Sequence, residues 1–226
     1  AWIGEGHGNQ SINFDNCNIS SSIFNFSQYY SQCQILNSKV TSTEFRTSWS
    51  YRANITANNT KFYASKFLLN NYQEGTLNAD KSLFINTPIQ SVNYSNTFNF
   101  TNSVFSFDGA IIPVGIQAQK IVMSNSIITS NGEGTAIELQ ANGQSTITNS
   151  LITDNNIGIS ISGTSGNFDF QNNNFTKNSL YAIQNINTRT VEAMNNYWGT
   201  NDQTEIDTNI YHYDDDDTVG EVTYIP

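Results

Sequence analysis

The sequence predicts an all-β chain, a right-handed parallel β-helix (solenoid) of about nine coils, and three observations predict it. One slot, filled by Asn eight times and by Lys once, returns every 21 to 24 residues from Asn16 to Asn195. A short alternating apolar pattern precedes the slot each time. Aromatic residues reach 12% in a chain with 12% charged residues and three prolines, a balance that a disordered polar chain lacks. Self-similarity at a fixed period marks a solenoid, in which no unit buries its apolar side alone and neighbours share one core.

The repeat reads apolar-x-apolar-x-Asn-x-x-apolar. It is plainest in IVMSNSIITSN (121–131), STITNSLITDN (145–155) and FDFQNNNFTKN (168–178). The slot residues are Asn16, Asn37, Asn59, Lys81, Asn102, Asn125, Asn149, Asn172 and Asn195. Period-two strands point alternate residues to one side. Three rows are therefore expected inside. Four before the slot run Ile12, Cys33, Ile55, Leu77, Phe98, Ile121, Ser145, Phe168 and Val191. Two before it run Phe14, Ile35, Ala57, Ala79, Phe100, Met123, Ile147, Phe170 and Ala193. Three after it run Ile19, Val40, Phe62, Phe84, Phe105, Ile128, Ile152, Phe175 and Trp198.

The slot has to turn the chain sharply, and Asn tolerates the left-handed backbone region better than any residue except Gly. Stacked Asn amides can also hydrogen-bond along the ladder. These Asn residues are therefore read as a structural ladder. Lys81 cannot join such a ladder, and the turn is expected to deviate there. A second strand per coil follows the turn, clearest in TAIELQ (135–140), IGISIS (157–162) and LYAIQNI (180–186). Its register in 23–30 and 45–53 is open. Cys33 belongs to an inward row and Cys17 to the turn of the preceding coil, an offset beyond the roughly 7 Å that a disulfide spans. Two free thiols are expected.

The formal charge is −10, and the nine basic residues are spread without a cluster, which excludes the basic stripe that nucleic acid requires. No apolar run reaches the roughly 18 residues of a membrane span, and residues 1–30 lack a secretory leader pattern. Scarce Lys and abundant Asn suit a secreted or cell-surface protein. The expected organisation is a lead-in over 1–11, coils over 12–201, and a C-terminal cover and exit strand over 202–226. Ala1 to Gln10 show no amphipathic cap, which reads as an excised piece of a longer chain or a cap made from Trp2 and Ile3.

The ending resembles a known family. Asn195-Asn196-Tyr197-Trp198-Gly199, the segment around Ile206 and Ile210, the acidic run Asp214 to Asp217 and the exit Gly220-x-Val222-x-Tyr224-x-Pro226 are similar to the last coil of parallel β-helix repeat proteins. These are the carbohydrate-binding and sugar-hydrolysis type, found in periplasmic copper-site maturation factors. The resemblance implies the β-helix fold over most of the chain. It does not fix an activity, because members range from enzymes to surface structural proteins.

Chemistry is sparse. Lyases and epimerases on such a fold need a base, an Arg or Tyr partner and acids on one outer face. Asp169 and Glu192 are the only outward acids on adjacent coils, and no His or Arg shares their rows, so they are the sole catalytic candidates. Gly6-His7-Gly8 is similar to an element of polygalacturonases but lacks their paired Asp and basic motifs. His212 reads as structural. Asp214, Asp215, Asp216 and Asp217 are the candidate Ca²⁺ ligands, and no other cofactor is expected. Asn9, Asn18, Asn25, Asn54, Asn58, Asn93, Asn99 and Asn174 satisfy the glycosylation pattern, but with 34 Asn in the chain roughly eight matches arise by chance. The expected function is an extracellular, non-catalytic module, a surface, adhesive or filament component whose partners are carbohydrate or neighbouring modules, without nucleic acid or membrane insertion. A polysaccharide lyase, hydrolase or epimerase using the outer acids is the alternative. Ice binding is a second, for which Thr146 and Thr148 share one coil but neighbouring coils do not repeat the pair.

Overall fold

The computed structural model describes residues 9–26, 30–48, 52–70, 74–91, 96–108, 112–140 and 143–224. The expectations placed on Trp2, Ile3, His7 and Asn93 fall outside them. The chain is an all-β parallel solenoid, and its one helix among the described residues is Gln203–Thr208. No helix is long and apolar enough to cross a membrane. Three sheets of ten, eight and nine strands form the sides. The first begins Asn9–Asp15, Tyr30–Leu36, Arg52–Asn58. The second is built from three-residue strands such as Asn18–Ser20, Lys39–Thr41 and Lys61–Tyr63. The third begins Ile23–Phe26, Glu44–Ser48, Lys66–Asn70.

The expectation of about nine coils is slightly high. The eight strands of the second sheet are separated by about seven full turns. Beyond Asn195 the second sheet gains a single bridge among the described residues, Asn174 to Tyr197, where another strand would lie. The two strands read per coil are three, because the row carrying Val40, Phe62 and Phe84 occupies a sheet of its own. The uncertain segments resolve as well, with Ile23–Phe26 pairing Glu44–Ser48 in the third sheet.

The reason is a second corner. All nine slot residues have left-handed φ, from 49° to 58°. Five or six positions later, Ser21, Ser42, Ala64, Asn86, Asn131, Asp154 and Lys177 do the same, with φ between 45° and 56°. Each pair of corners brackets a strand only three residues long. The deviation expected at Lys81 does not occur, since its φ is 50°. The corner constrains only the backbone, and the ammonium turns outward to 3.9 Å from Asp80.

The Asn slots are also not tied by a continuous amide ladder. Among the described residues one slot donates directly to the next, Asn59 Nδ2 to Asn37 Oδ1 at 2.9 Å. Asn37 and Asn102 donate instead to Asp15 and Asp80, at 3.0 and 2.8 Å. The connecting row lies one residue further on and is buried. The hydroxyls of Ser82, Ser103, Ser126 and Ser150 accept from the backbone N–H groups of Thr60, Ser82, Ser103 and Ser126 at 3.2 to 3.3 Å. Asn173 and Asn196 continue it, accepting from Ser150 and Asn173. The tight corner leaves these N–H groups without a ladder partner, and a buried N–H without one costs about 1–3 kcal/mol.

The three predicted inward rows form the core. Ile12, Cys33 and Ile55 pair in register, as do Leu77, Phe98 and Ile121. Beyond the first turn every residue of these rows is buried. The third sheet adds Phe24, Phe45, Phe67, Ile89, Ile116, Ile137, Ile159 and Ile183. In the earlier turns the rings stack along the axis. Phe45 lies 4.7 Å from Phe67, and Phe62, Phe84 and Phe105 follow at 4.8 and 4.7 Å with planes within 12°. Each such pair adds about 0.5–1.5 kcal/mol beyond its area.

At the C-terminal end Trp198 stacks on Phe175 at 5.1 Å, and Tyr224 meets Trp198 edge-on. Asp202 caps the helix by accepting from the Thr204 and Glu205 N–H groups, and Ile206 is buried beneath it. Ile210–Tyr211 and Val222–Thr223 then join the ends of the third and first sheets. Added strands and aromatic rings cover an end that would expose core and unpaired edge.

Candidate functional site

The sheet geometry settles which outward residues are neighbours. Asp169 and Glu192 are register partners on the first sheet, with Thr146 before them and Thr223 after. Neither His nor Arg occupies these paired positions. Glu192 is exposed, whereas Asp169 Oδ1 is fully buried and lacks a hydrogen-bond partner among the described residues. The arrangement supplies two carboxylates side by side.

The acids at 214–217 turn in different directions. Asp215 accepts from the His212 N–H at 3.0 Å, and Asp216 accepts from the Thr218 N–H and hydroxyl and from the Tyr211 hydroxyl. Asp214 points to solvent, 3.8 Å from His212 Nε2. No group of three or more His, Cys, Asp or Glu able to hold a metal occurs among the described residues. His212 is buried, with Nδ1 accepting from the Val222 N–H.

Of the glycosylation candidates, Asn18, Asn54, Asn58 and Asn174 are exposed, and Asn25 is half-buried on the third sheet. Asn99 donates to Asn78 Oδ1 at 2.7 Å. Asn9 opens the first strand. Both cysteines are free, and burial pushes the Cys33 thiol up to about 12, which removes it from thiolate chemistry.

Among the described residues, three grooves stand on the outer faces of the earlier turns, one of them at the second corner beside Ser21, Ser42 and Ala64, and the other two are lined by amides. On the first sheet, Gln32, Gln34, Asn54, Thr56, Thr76 and Asn78 line a groove of about 260 Å³ above Cys33. Its side chains hold one another: Thr76 donates to Asn54 at 2.9 Å, and Asn78 donates to Thr76 at 3.2 Å. Every polar group is a neutral amide or hydroxyl. Around the first corner, Asn16, Asn18, Asn37, Asn59, Lys39 and Lys61 border a second groove of about 380 Å³. Lys39 and Lys61 are direct register partners on the second sheet. The reading of the basic residues as unclustered is thereby corrected, because 22 positions along the chain are one step across the solenoid.

No protein-family model matches the chain, and no curated protein or solved structure matches it.

The sequence pointed to the acids and not to the grooves. The first groove includes a row five before the slot, Gln32, Asn54 and Thr76, and that row was readable once the strands were extended toward their N-termini. The second needed the position two after the slot, where Asn18, Lys39 and Lys61 succeed one another.

Proposed function

We propose that the chain is a non-catalytic module of a secreted or cell-surface protein, a structural or adhesive element that holds neutral glycan across its first sheet. The observation behind this reading is the groove lined by Gln32, Gln34, Asn54, Thr56, Thr76 and Asn78. Sugar hydroxyls are recognised by donors and acceptors held in fixed orientation, and the Thr76–Asn54 and Asn78–Thr76 bonds fix these. The sparse charge of the chain suits an extracellular surface. Kinship with β-helix repeat proteins and a right-handed coil belong to the same proposal, since parallel crossovers are right-handed in about 98% of cases.

Titration calorimetry against a panel of neutral oligosaccharides tests the binding. Heat is expected from at least one member, with affinity about tenfold lower in Asn78→Ala, the loss of one or two hydrogen bonds. No heat from any member overturns the glycan assignment.

The catalytic alternative has one observation in its favour, the buried unpartnered Asp169 oxygen beside Glu192. Release of reducing or unsaturated sugar that disappears in Asp169→Asn would establish it and defeat the non-catalytic reading.

A further inference from the structure

We infer that the groove at the first corner is a second binding site, selective for an anionic sugar, in which Lys39 and Lys61 hold a carboxylate of an acidic polysaccharide. The site is separate from the neutral groove on the first sheet and does not depend on it.

Charge placement carries the argument. Lys39 and Lys61 sit directly opposite on adjacent strands, about 4.8 Å apart at the backbone. Like charges placed this way repel and lower stability. Neither lysine has a carboxylate within ion-pair distance among the described residues, although the chain carries 19 acids and nine bases. Both are exposed. A protein of net charge −10 thus leaves two cations adjacent and unneutralised in a groove of about 380 Å³. An anion bridging the two ammonium groups converts the repulsion into attraction.

The surrounding groups narrow the ligand. Lys39 Nζ lies 5.4 Å from the centre of the Tyr63 ring, which limits the conformations of that lysine. Asn18 extends the lysine row, and Asn16, Asn37 and Asn59 border it along the corner. Amide donors and acceptors beside paired cations match a ligand that carries hydroxyls and carboxylates together, which is the chemistry of a uronate chain. Asn37 and Asn59 are held along the corner by their bonds to Asp15 and Asn37, so they present an amide edge of fixed orientation to sugar hydroxyls.

The test titrates the whole chain with a tetrameric uronate oligosaccharide and with its methyl ester, using wild type, Lys39→Gln/Lys61→Gln and Lys39→Arg/Lys61→Arg. Expected are binding of the free acid by wild type, about tenfold or greater weakening for the ester, and loss of the difference in the Gln variant. The Arg variant should retain preference for the acid, and salt should weaken the wild-type interaction far more than that of the Gln variant. The thermal midpoint of the Gln variant should equal or exceed that of wild type, which a structural role for the lysines would reverse. Equal binding of acid and ester by wild type, unchanged binding by the Gln variant, or competition by inorganic sulfate as strong as by the oligosaccharide each overturn the inference. Because the panel for the first-sheet groove is uncharged and its variant is Asn78→Ala, either site can fail while the other stands.

Discussion

The turns before and after Asn102 fill the same cross-section in different ways. Slots from Asn16 to Asn102 are 21 or 22 residues apart, and those from Asn102 to Asn195 are 23 or 24. The earlier core is stacked rings, Phe24, Phe45, Phe62, Phe67 and Phe84, running on to Phe105; from Ile116 to Ile161 the core is aliphatic, with Ile128, Ile137, Ile147, Ile152 and Ile159, and rings return at Phe168, Phe170 and Phe175. Excursions also change corner. Phe67 follows Asn59 by eight positions, yet Ile137 follows Asn125 by twelve. In compensation, Gln119 alone separates the third-sheet strand Val114–Ala118 from the first-sheet strand Lys120–Ser124. Strand register runs on unbroken from one region into the other. The fold thus fixes the corners and the inward rows, while side-chain chemistry and excess length are free to move.

The largest break in this comparison comes from the aromatic core. Phe84→Ala removes the middle ring of a three-ring stack and should cost about 3–5 kcal/mol in denaturant unfolding, whereas Ile152→Val in the aliphatic region should cost about 0.5–1.5. No loss in Phe84→Leu, which keeps most of the apolar bulk and removes the ring, would show that ring stacking adds nothing to burial. Next comes the changeover turn, where Phe107 is buried against Gly115 and a Cβ on that glycine would collide with the ring. Gly115→Ala should cost about 1–3 kcal/mol, while Gly132→Ala, with open space around it, should show only the smaller strain of its left-handed φ. Ser126→Ala belongs in the same range, because it strips the acceptor from the buried Ser103 N–H.

The smallest effect is confined to the C-terminal cover. The Tyr224 hydroxyl donates to Asp207 Oδ1 at 2.5 Å. That bond, helped by Gln203, lowers the Asp207 pKa, and burial together with the same bond pushes Tyr224 up to about 12. The depressed acid contributes fully above its unfolded value near 3.9 and is lost as pH falls through its lower folded value. The raised phenol contributes fully below about 10 and is lost as pH rises through about 12. The protection factors of the Val222–Thr223 amides, corrected for intrinsic exchange, should therefore fall at both extremes, and Asp207→Asn should abolish the acid limb. Protection factors that stay unchanged from pH 7 down to about pH 1 in wild type, below the lowered Asp207 value, would show that this bond does not hold the cover.

The inward rows were legible because a period-two strand ending in a left-handed residue leaves an apolar-x-apolar-x-Asn trace, and Asn is among the few side chains that tolerate the corner. The second corner was not, because Ser21, Ala64, Asp154 and Lys177 share no residue type and only their backbone is common. The buried hydroxyl row was hidden for a related reason. Ser82 and Ser103 look like surface residues until the strand across the turn supplies an N–H for each to accept. Of the candidate sites, Asp169 and Glu192 were found as acids one repeat apart. The lysine groove escaped because charge was judged along the chain instead of across it.

The axial bonding described above has a mechanical meaning. Hydrogen bonds between turns lie along the long direction of the molecule, so a pull on its two ends loads the junctions in series, and the weakest yields first. Over all three sheets that junction is the one to the C-terminal cover, with two paired residues in the first sheet, two in the third and the single bridge Asn174 to Tyr197 in the second. Under tension the cover should peel away before any inner turn parts, so the segment that seals the core is also the seam of the fibre.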